Sequence, residues 1–398
     1  MPDSDHRAEA TALGLFLRAD PAHWPQLAPQ VVDRVGLERL RRIVDATGER
    51  VGGIREVADG PDGLTVVGPA GHVLAWARLD DEGRLAALLI SPARPGRRGL
   101  PLPLVRWGTP AAFALLLWLR VVSCWTATDV SGWTGSVLGL TAGYVLYEGY
   151  WATGMDPWWV RRPIEAGALA ALGSAWRLPR LPWGDHRIQL AVGAALAVVC
   201  AVSLARSRRH RWGTSTALPL AAFPLHGDWY VGQGGGRGLN HHLAAPEQRG
   251  AVDLVQVGGT GTRRGDRRAL TSYRAYGAEV YAPCGGRVTA AVDGLPDQAP
   301  GVLRYGPLYG NHVTVNTGTE TVVLAHLQPG SVAVAVGDRV HAGQLLGRVG
   351  NSGNSTEPHL HLHAEREGLG LDLVFADVGG RLHRGRTVRA RPAHTHRR

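Results

Sequence analysis

Residues 350–363 read Gly-Asn-Ser-Gly-Asn-Ser-Thr-Glu-Pro-His-Leu-His-Leu-His, and this stretch decides the interpretation of the C-terminal part of the chain. Polar and apolar side chains alternate at its end, which predicts a β-strand. Because alternate side chains of a strand project to the same face, His359, His361 and His363 would point the same way. Imidazoles at positions i and i+2 can reach one metal ion, so the spacing predicts a metal site.

A catalytic zinc site needs about three protein ligands and one open position. The further ligands would come from the same region of the chain, where the candidates are His241, His242, Asp253 and His326. A histidine-rich surface strand that binds no metal is the alternative that the spacing leaves open.

Residues 212–390, which surround this strand, are rich in short apolar runs separated by glycine-containing turns. Five such runs occupy residues 279–282, 286–292, 312–315, 321–326 and 345–349. This succession predicts an antiparallel all-β domain. Residues 391–398 would form a basic tail.

Residues 96–211 have a different composition, with long apolar stretches edged by Trp and Arg. Three stretches, 107–128, 130–151 and 188–205, are long enough to cross a hydrocarbon core of about 30 Å as helices. The flanking tryptophans are typical of a membrane interface. We therefore expect a helical transmembrane region in contact with membrane lipid. The apolar stretch 163–176 is shorter, which is more typical of a re-entrant or interfacial helix.

Arginine placement predicts the orientation, because positively charged flanks of membrane helices stay in the cytoplasm. Three crossings with the N-terminus inside agree with the arginines at 94–106 and 161–187, whereas those at 206–211 disagree. A fourth crossing at 163–176 would remove the disagreement but place the C-terminal domain in the cytoplasm. We expect three crossings, and hence a multi-pass cell-membrane protein whose C-terminal domain is extracellular.

Residues 1–95 are predicted to form a small α+β accessory domain, so the chain as a whole is multidomain. Helical spacing of apolar residues at 37–44 precedes three strand-like runs at 64–67, 72–76 and 85–90. The first 18 residues lack the basic and apolar segments of a cleavable secretory signal, so we expect the N-terminus inside the cell.

The composition narrows the possible partners. Hydrophobic residues make up 44% of the chain and charged residues 19%, a balance that excludes intrinsic disorder. The net charge is 43 − 33 = +10. A positive excess of this kind attracts anionic polymers in general and does not by itself indicate nucleic-acid binding. We expect no nucleic-acid partner. The cysteines Cys124, Cys200 and Cys284 are too widely spaced for a disulfide framework or a zinc finger.

Three segments carry a family resemblance. They are 227–254, with Asn-His-His ahead of Gln-Arg-Gly-Ala-Val-Asp, then Val-Leu-Ala-His-Leu at 323–327, and the stretch 350–361 that ends in Pro-His-Leu-His. In this order they closely resemble the lysostaphin-type zinc metallopeptidases, which cut peptidoglycan cross-bridge peptides. The resemblance covers roughly residues 224–390. It implies a zinc metalloendopeptidase whose substrate is a peptidoglycan peptide.

The resemblance also assigns the zinc ligands. Carried over residue by residue, they fall on His242, Asp253 and His361. In much of the family the first His lies four residues before the Asp, where this chain has Arg249, so the match is to the subgroup with an Asn-x-His. His241 is the alternative first ligand, because neighbouring strand residues face opposite ways and only one can reach the metal.

His326 and His359 match the two non-ligand histidines of the family. The chain has no His-Glu-x-x-His helix to supply a carboxylate base. One of these histidines would therefore orient and deprotonate the attacking water, and the other would stabilise the oxyanion or protonate the leaving amine. For His363 we favour a packing or solvent role over a contact with the ligands.

Two other functions are compatible with parts of the sequence. A non-catalytic scaffold or activator of other wall hydrolases would share the fold, although such proteins usually lack the ligands that this chain retains. A transporter or sensor with an appended domain is supported only by Arg120 and Glu148 within the apolar stretches. Three kinds of bond are compatible with the sequence as the one that is cleaved: a bond between D-Ala and a diamino acid, a bond within a glycine bridge, and a bond in a peptide outside the wall.

Overall fold

The computed structural model describes residues 7–60, 63–90, 102–213, 219–301 and 308–390. The chain forms two compact units. The first comprises Met1–Gly99 with Val302–Gly310 and Gly353–Thr356, and the second comprises the rest. The helical region and the β-rich domain therefore belong to one unit.

Helices precede a four-stranded antiparallel sheet in the first unit. They are α1 (Arg7–Arg18), α2 (Trp24–Leu27), α3 (Pro29–Val35) and α4 (Leu37–Val51), and the strands β1 (Glu56–Gly60), β2 (Gly63–Gly68), β3 (Gly71–Leu79) and β4 (Leu85–Ile90) pair in chain order. Phe16 and Trp24 stack with ring centroids 5.1 Å apart and share one core with Val66 and Leu85. The predicted α+β architecture is confirmed here.

The helical region contains α5 (Leu102–Thr126), α6 (Val130–Tyr150), α7 (Trp158–Gly173) and α8 (Arg187–Arg209), with a 3-10 helix at Ser174–Arg180. Helices α6 and α8 run parallel, because Gly135 lies against Gln189 and Gly149 against Leu204. Glycine at these positions lets the two backbones approach closely, as in membrane helix pairs.

Helix α5 runs antiparallel to α6 and parallel to α7. The contacting pairs are Phe113 with Trp151, Leu117 with Gly143, Trp118 with Gly167, and Trp125 with Ala170. The four helices thus alternate in direction. The chain enters the bundle at Leu102 and leaves it at Arg209 at the same end.

Among the described helices, α8 alone is long and apolar enough to span a membrane by length and composition, and Ala112–Thr126 is a shorter apolar segment. The multi-helix membrane region therefore stays a prediction. The stretch 163–176, expected to be re-entrant or interfacial, lies in α7 and the 3-10 helix that follows. Helix α7 itself has 16 residues, so with a rise of about 1.5 Å per residue it is about 24 Å long.

The β-rich domain is antiparallel, as predicted. Its strands are β5 (Gly227–Gln233), β6 (Val252–Val255), β7 (Glu279–Tyr281), β8 (Gly286–Val292), β9 (Asn311–Asn316), β10 (Thr321–Leu327), β11 (Arg339–Val340), β12 (Leu345–Arg348), β13 (Leu360–Arg366), β14 (Leu369–Gly370) and β15 (Thr387–Ala390). The main sheet has the order β11-β8-β9-β10-β13-β6-β5-β15, β14 pairs with β13, and β12 pairs with β7.

One face of the main sheet carries the core. Leu254, Leu324 and Leu362 are fully buried there with the other apolar residues of the domain. Because strand side chains alternate between faces, the neighbouring positions 253 and 361 project from the opposite face. The central strands β10, β13 and β6 therefore support a polar site on one side and the core on the other.

Candidate metal centre

The pair Asp253 and His361 forms the middle of the site. The two residues lie directly opposite each other in β6 and β13, so their side chains share a face. Nδ1 of His361 lies 3.0 Å from Oδ1 of Asp253. Asp253 is 6% exposed and His361 2% exposed, so water is largely excluded from this contact.

His242 reaches the same carboxylate oxygen from a 3-10 helix at His241–Ala244. Asn240 caps this helix, because its Oδ1 accepts a hydrogen bond from the backbone N–H of His242 at 3.0 Å. Nε2 of His242 lies 3.0 Å from Oδ1 of Asp253. Nε2 of His241 lies 4.0 Å from Oδ2, and its side chain is 60% exposed against 10% for His242. Both histidines lie near the Asp253 carboxylate, but the His242 side chain is nearer to it and more buried.

His326 reaches the site through a β-bulge. Ala325 pairs with His312 while Leu327 pairs with Asn311, which leaves His326 as an extra residue, with φ 65°. Regular alternation would turn its side chain to the core face beside Leu324. The bulge instead brings the ring to within 4.7 Å of the His359 ring, centroid to centroid. Left-handed backbone in a residue other than glycine is uncommon and concentrates at functional sites.

The protons on His326 and His359 are fixed by backbone carbonyls. Nδ1 of His326 donates to the carbonyl oxygen of Ser352, and Nδ1 of His359 donates to that of Glu357, both at 2.8 Å. Since a carbonyl can only accept, each Nε2 keeps its lone pair in the neutral ring. Nε2 of His359 lies 3.7 Å from Oδ1 of Asp253. Each neutral ring thus keeps an unprotonated nitrogen that can accept a hydrogen bond, and that of His359 lies beside the carboxylate.

His363 is buried against His361, with 2.9 Å between His361 Nε2 and His363 Nδ1. A solvent role is therefore wrong for this residue. A histidine that ligates a metal usually hydrogen-bonds through its other ring nitrogen, and His363 is placed to accept that bond. The i, i+2 spacing of residues 361 and 363 on one strand already places their side chains on the same face, where this contact forms.

Burial and neighbouring charges set the protonation of the cluster. Burial alone would raise the pKa of Asp253, but His242 and His359 hold it well below its ordinary value. Burial lowers the pKa of His361 and of His363 to about 3 and that of His326 well below its usual range. At neutral pH Asp253 is therefore a carboxylate and His326, His361 and His363 are neutral imidazoles, the forms that bind metals. Burial alone would lower the pKa of His242, but the charge of Asp253 and the hydrogen bond to it raise that pKa in the metal-free site.

The donor set fits a zinc ion. Two imidazole nitrogens and a carboxylate oxygen match the ligands that zinc takes in catalytic sites. Donors about 2.0–2.2 Å from a tetrahedral ion are separated by about 3.4 Å. The 3.0 Å contacts of Asp253 Oδ1 with His242 and His361 are within a few tenths of an ångström of that separation.

Comparison with known protein families finds a match. The family model described as Peptidase family M23 matches residues 269–373. This segment contains His326, His359 and His361, whereas His242 and Asp253 precede it.

Two curated relatives are similar over short segments. One is Glycyl-glycine endopeptidase ALE-1 of Staphylococcus capitis, 40% identical over 88 residues, which are 22% of this chain and 23% of that protein. The other is Peptidoglycan DD-endopeptidase ShyC of Vibrio cholerae, 35% identical over 86 residues, which are 21% and 18% of the respective chains. The match thus spans less than a quarter of either relative.

The catalytic domain of lysostaphin from Staphylococcus simulans is a similar solved structure, with 23% identity, coverage of 36% of this chain and 76% of that one, and a TM-score of 0.20. From the family model and the two curated relatives, the chain carries a lysostaphin-type domain of Peptidase family M23 at residues 269–373.

Proposed function

We propose that the protein is a membrane-anchored, zinc-dependent endopeptidase that hydrolyses peptide cross-links of bacterial peptidoglycan. The observation that carries the proposal is the convergence of His242 Nε2 and His361 Nδ1 on one oxygen of Asp253, each at 3.0 Å. The two curated relatives support the substrate class, because their names describe a glycyl-glycine endopeptidase and a peptidoglycan DD-endopeptidase.

His242, Asp253 and His361 would hold the ion. His242 is preferred to His241 because its nitrogen is nearer the carboxylate and its side chain is less exposed. When bound, zinc would polarise the scissile carbonyl and make water a nucleophile at neutral pH. His363 would fix the orientation of His361 by accepting a hydrogen bond from its Nε2.

His326 and His359 would move the protons. In their neutral forms both carry the proton on Nδ1, so Nε2 of one can accept the proton of the attacking water. Burial lowers the pKa of His326 well below its usual range, which keeps that ring neutral but makes it a weaker base than a free imidazole. The proton gained would then be returned to the leaving amine, which completes hydrolysis without a carboxylate base.

Metal content and digestion together test the proposal. The full-length protein, purified in detergent, should contain one zinc per chain and release new amino groups from purified peptidoglycan. His242→Ala, Asp253→Ala and His361→Ala should each lose the zinc, whereas His241→Ala, the matched control, should keep it. Loss of zinc from His241→Ala with retention in His242→Ala would reverse the ligand assignment. Full zinc without hydrolysis would favour the scaffold alternative.

Membrane anchoring is supported by α8 and by the apolar side chains exposed on the bundle. Leu115, Leu116, Leu169, Leu172, Val198 and Val199 are each at least 60% exposed. Exposed apolar surface of this extent is typical of contact with lipid. A peptidoglycan substrate would place the peptidase domain outside the cytoplasmic membrane.

The alternating directions of α5 to α8 favour an even number of crossings over the three expected from the sequence. Reporters that are active only outside the cell should then give the same result when fused just before Leu102 and after residue 212. Opposite results would restore three crossings. A peptidoglycan substrate requires the peptidase end of the bundle to face outwards, against the rule that arginines such as 161, 162, 206, 208 and 209 at that end stay in the cytoplasm. The reporter after residue 212 decides between the two, and an inactive reporter there would contradict the peptidoglycan proposal.

A further inference from the structure

The loop that leads to His242 is unusually rich in glycine. Residues 234–240, between β5 and the 3-10 helix, include Gly234, Gly235, Gly236 and Gly238. Three of these glycines have φ values of 154°, 92° and 81°, in the region that favours glycine. Such a segment loses much conformational entropy when it is ordered, so contacts from elsewhere must hold it in place.

The C-terminal end of α8 supplies the first contacts. The backbone N–H of Gly236 donates to the carbonyl oxygen of Ser207 at 2.8 Å, and Oγ of Ser207 donates to the carbonyl oxygen of Arg237 at 2.9 Å. A Cβ on Gly236 would lie 2.6 Å from Cβ of His210, so the helix end and the loop are in direct van der Waals contact.

The C-terminal end of α6 supplies the second set through Arg384. Nη1 of Arg384 donates to the carbonyl oxygen of Tyr150 at 2.7 Å and to that of Gly238 at 3.3 Å. Its Nε donates to the carbonyl oxygen of Gly232 in β5 at 3.0 Å. The Tyr150 ring also lies against Gly238, where a Cβ would come within 2.8 Å of it. One guanidinium therefore joins a bundle helix, the sheet and the loop.

We propose that the helical bundle positions the metal ligand His242, in addition to anchoring the domain. The ends of α6 and α8 order the glycine-rich loop, and the ordered loop delivers His242 to Asp253. Ser207, Tyr150 and Arg384 are positioning residues that act through the loop. The identity of the metal rests on the proposed function, whereas the ordering of the loop does not.

The test compares two variants with matched controls in the full-length protein in detergent. Ser207→Ala removes the hydroxyl bond to the loop, and Ser203→Ala, one turn earlier on an exposed position, is its control. Arg384→Gln removes the shared guanidinium. Its control is Arg386→Gln, because Arg386 donates to the carbonyl oxygens of Gly379 and Arg381 within the β-rich domain.

Two readouts separate the loop from the metal. Hydrogen exchange of the amides of residues 234–242, measured in metal-free protein, should be faster in both variants and unchanged in both controls. Zinc affinity, measured by competition with a chromophoric chelator, should fall about 10- to 100-fold in Arg384→Gln, the range for partners outside the ligand set. In Ser207→Ala it should fall about 2- to 10-fold, as expected for one hydrogen bond.

Wild-type exchange and wild-type affinity in Ser207→Ala would overturn the proposal even if Arg384→Gln is affected, because Arg384 also donates to Gly232 and Gly238 within the β-rich domain. Equal effects in the controls would overturn it as well. If Arg384→Gln fails to fold, Ser207→Ala decides alone. A wild-type protein that binds no zinc would refute the proposed function, and the exchange measurement would still decide whether the bundle orders the loop.

Discussion

The helical bundle exposes many more large apolar side chains than the β-rich domain does. In the β-rich domain Val313, Leu324 and Leu362 are 0% exposed, whereas in the bundle Leu169 is 71% exposed and Leu196 51% exposed. The bundle has a buried apolar cluster too, which includes Leu117, Val121 and Leu140, and glycines line the close contact of α6 with α8. Burial of apolar groups stabilises a domain in water, while small residues at helix contacts are typical of packing in lipid.

The exposed apolar surface of the bundle would suit lipid under the proposed membrane anchoring, whereas the β-rich domain buries most of its large apolar side chains. Substitutions of leucine should therefore have different costs in the two regions. The following predictions test that contrast and then the chemistry on the sheet, in order of decreasing effect.

Truncation of a leucine should cost the β-rich domain far more than the bundle surface. Leu324→Ala removes a fully buried side chain from the core, and such changes cost about 2–5 kcal/mol. Leu169→Ala, at an exposed position of α7, should change the stability by less than about 0.5 kcal/mol in detergent. Hydrogen exchange of the slowest β10 amides measures the first effect, and that of α7 measures the second. Equal costs would contradict the burial of Leu324 and the exposure of Leu169.

Arginine should be tolerated on one surface and rejected on the other. Leu196→Arg in α8 should oppose membrane insertion by about 2.5–3.5 kcal/mol if that position lies near the bilayer centre. Val336→Arg, at a residue 65% exposed in the β-rich domain, should be neutral within about 0.5 kcal/mol. The fraction of protein recovered in membranes is the measurement. Full recovery of Leu196→Arg would argue that the bundle surface faces another protein or water.

Removal of either proton-carrying histidine should separate chemistry from metal binding. His326→Ala and His359→Ala should keep zinc but lose hydrolysis by about 10²-fold or more, the scale for general acid–base assistance. Zinc content and the rate of amine release from peptidoglycan are measured on the same preparation. If His359→Ala loses its zinc, His359 is itself a ligand, as the i, i+2 spacing on the strand predicts.

Acid should weaken the metal-free β-rich domain. The pKa of His361 and of His363 is lowered to about 3 by burial, so the unfolded chain binds more protons than the folded domain below about pH 6.5. Stability present above pH 6.5 is lost as the pH falls towards 3. Between pH 7 and 5.5 the loss should be about 1 kcal/mol for each histidine. Melting of the apoprotein measures it, and a melting temperature that rises on acidification would contradict the lowered pKa values.

Local rules were sufficient for much of the fold. The alternation at residues 358–363 predicted β13 and the shared face of its histidines, because a strand has a period of two. The apolar stretches predicted the positions of α5, α6 and α8, since an uninterrupted apolar run of about 20 residues favours a long helix. The ligand assignment to His242, Asp253 and His361 came from the family resemblance and stays a prediction.

Tertiary geometry was needed for the rest. No local pattern marks His326 as a bulge, because the extra residue is defined only by how β10 pairs with β9. The direction of α7 is defined by its contacts with α5, and no local pattern in the stretch 163–176 predicts it. The bonds from Arg384 to Tyr150 and Gly238 join residues that are 234 and 146 positions apart. Sequence periodicity carries no information at such separations.

The positive φ of His326 limits which residues can replace it without backbone strain. Glycine adopts φ near 65° without strain, and asparagine does so more readily than most residues, whereas valine, isoleucine and threonine are disfavoured there. Replacements at residue 326 should therefore fall into two classes. Gly and Asn preserve the fold and remove the chemistry, while β-branched residues damage both. A lineage that lost the activity by drift would be expected to retain Gly or Asn at this position, a mark by which an inactive descendant of the domain could be recognised.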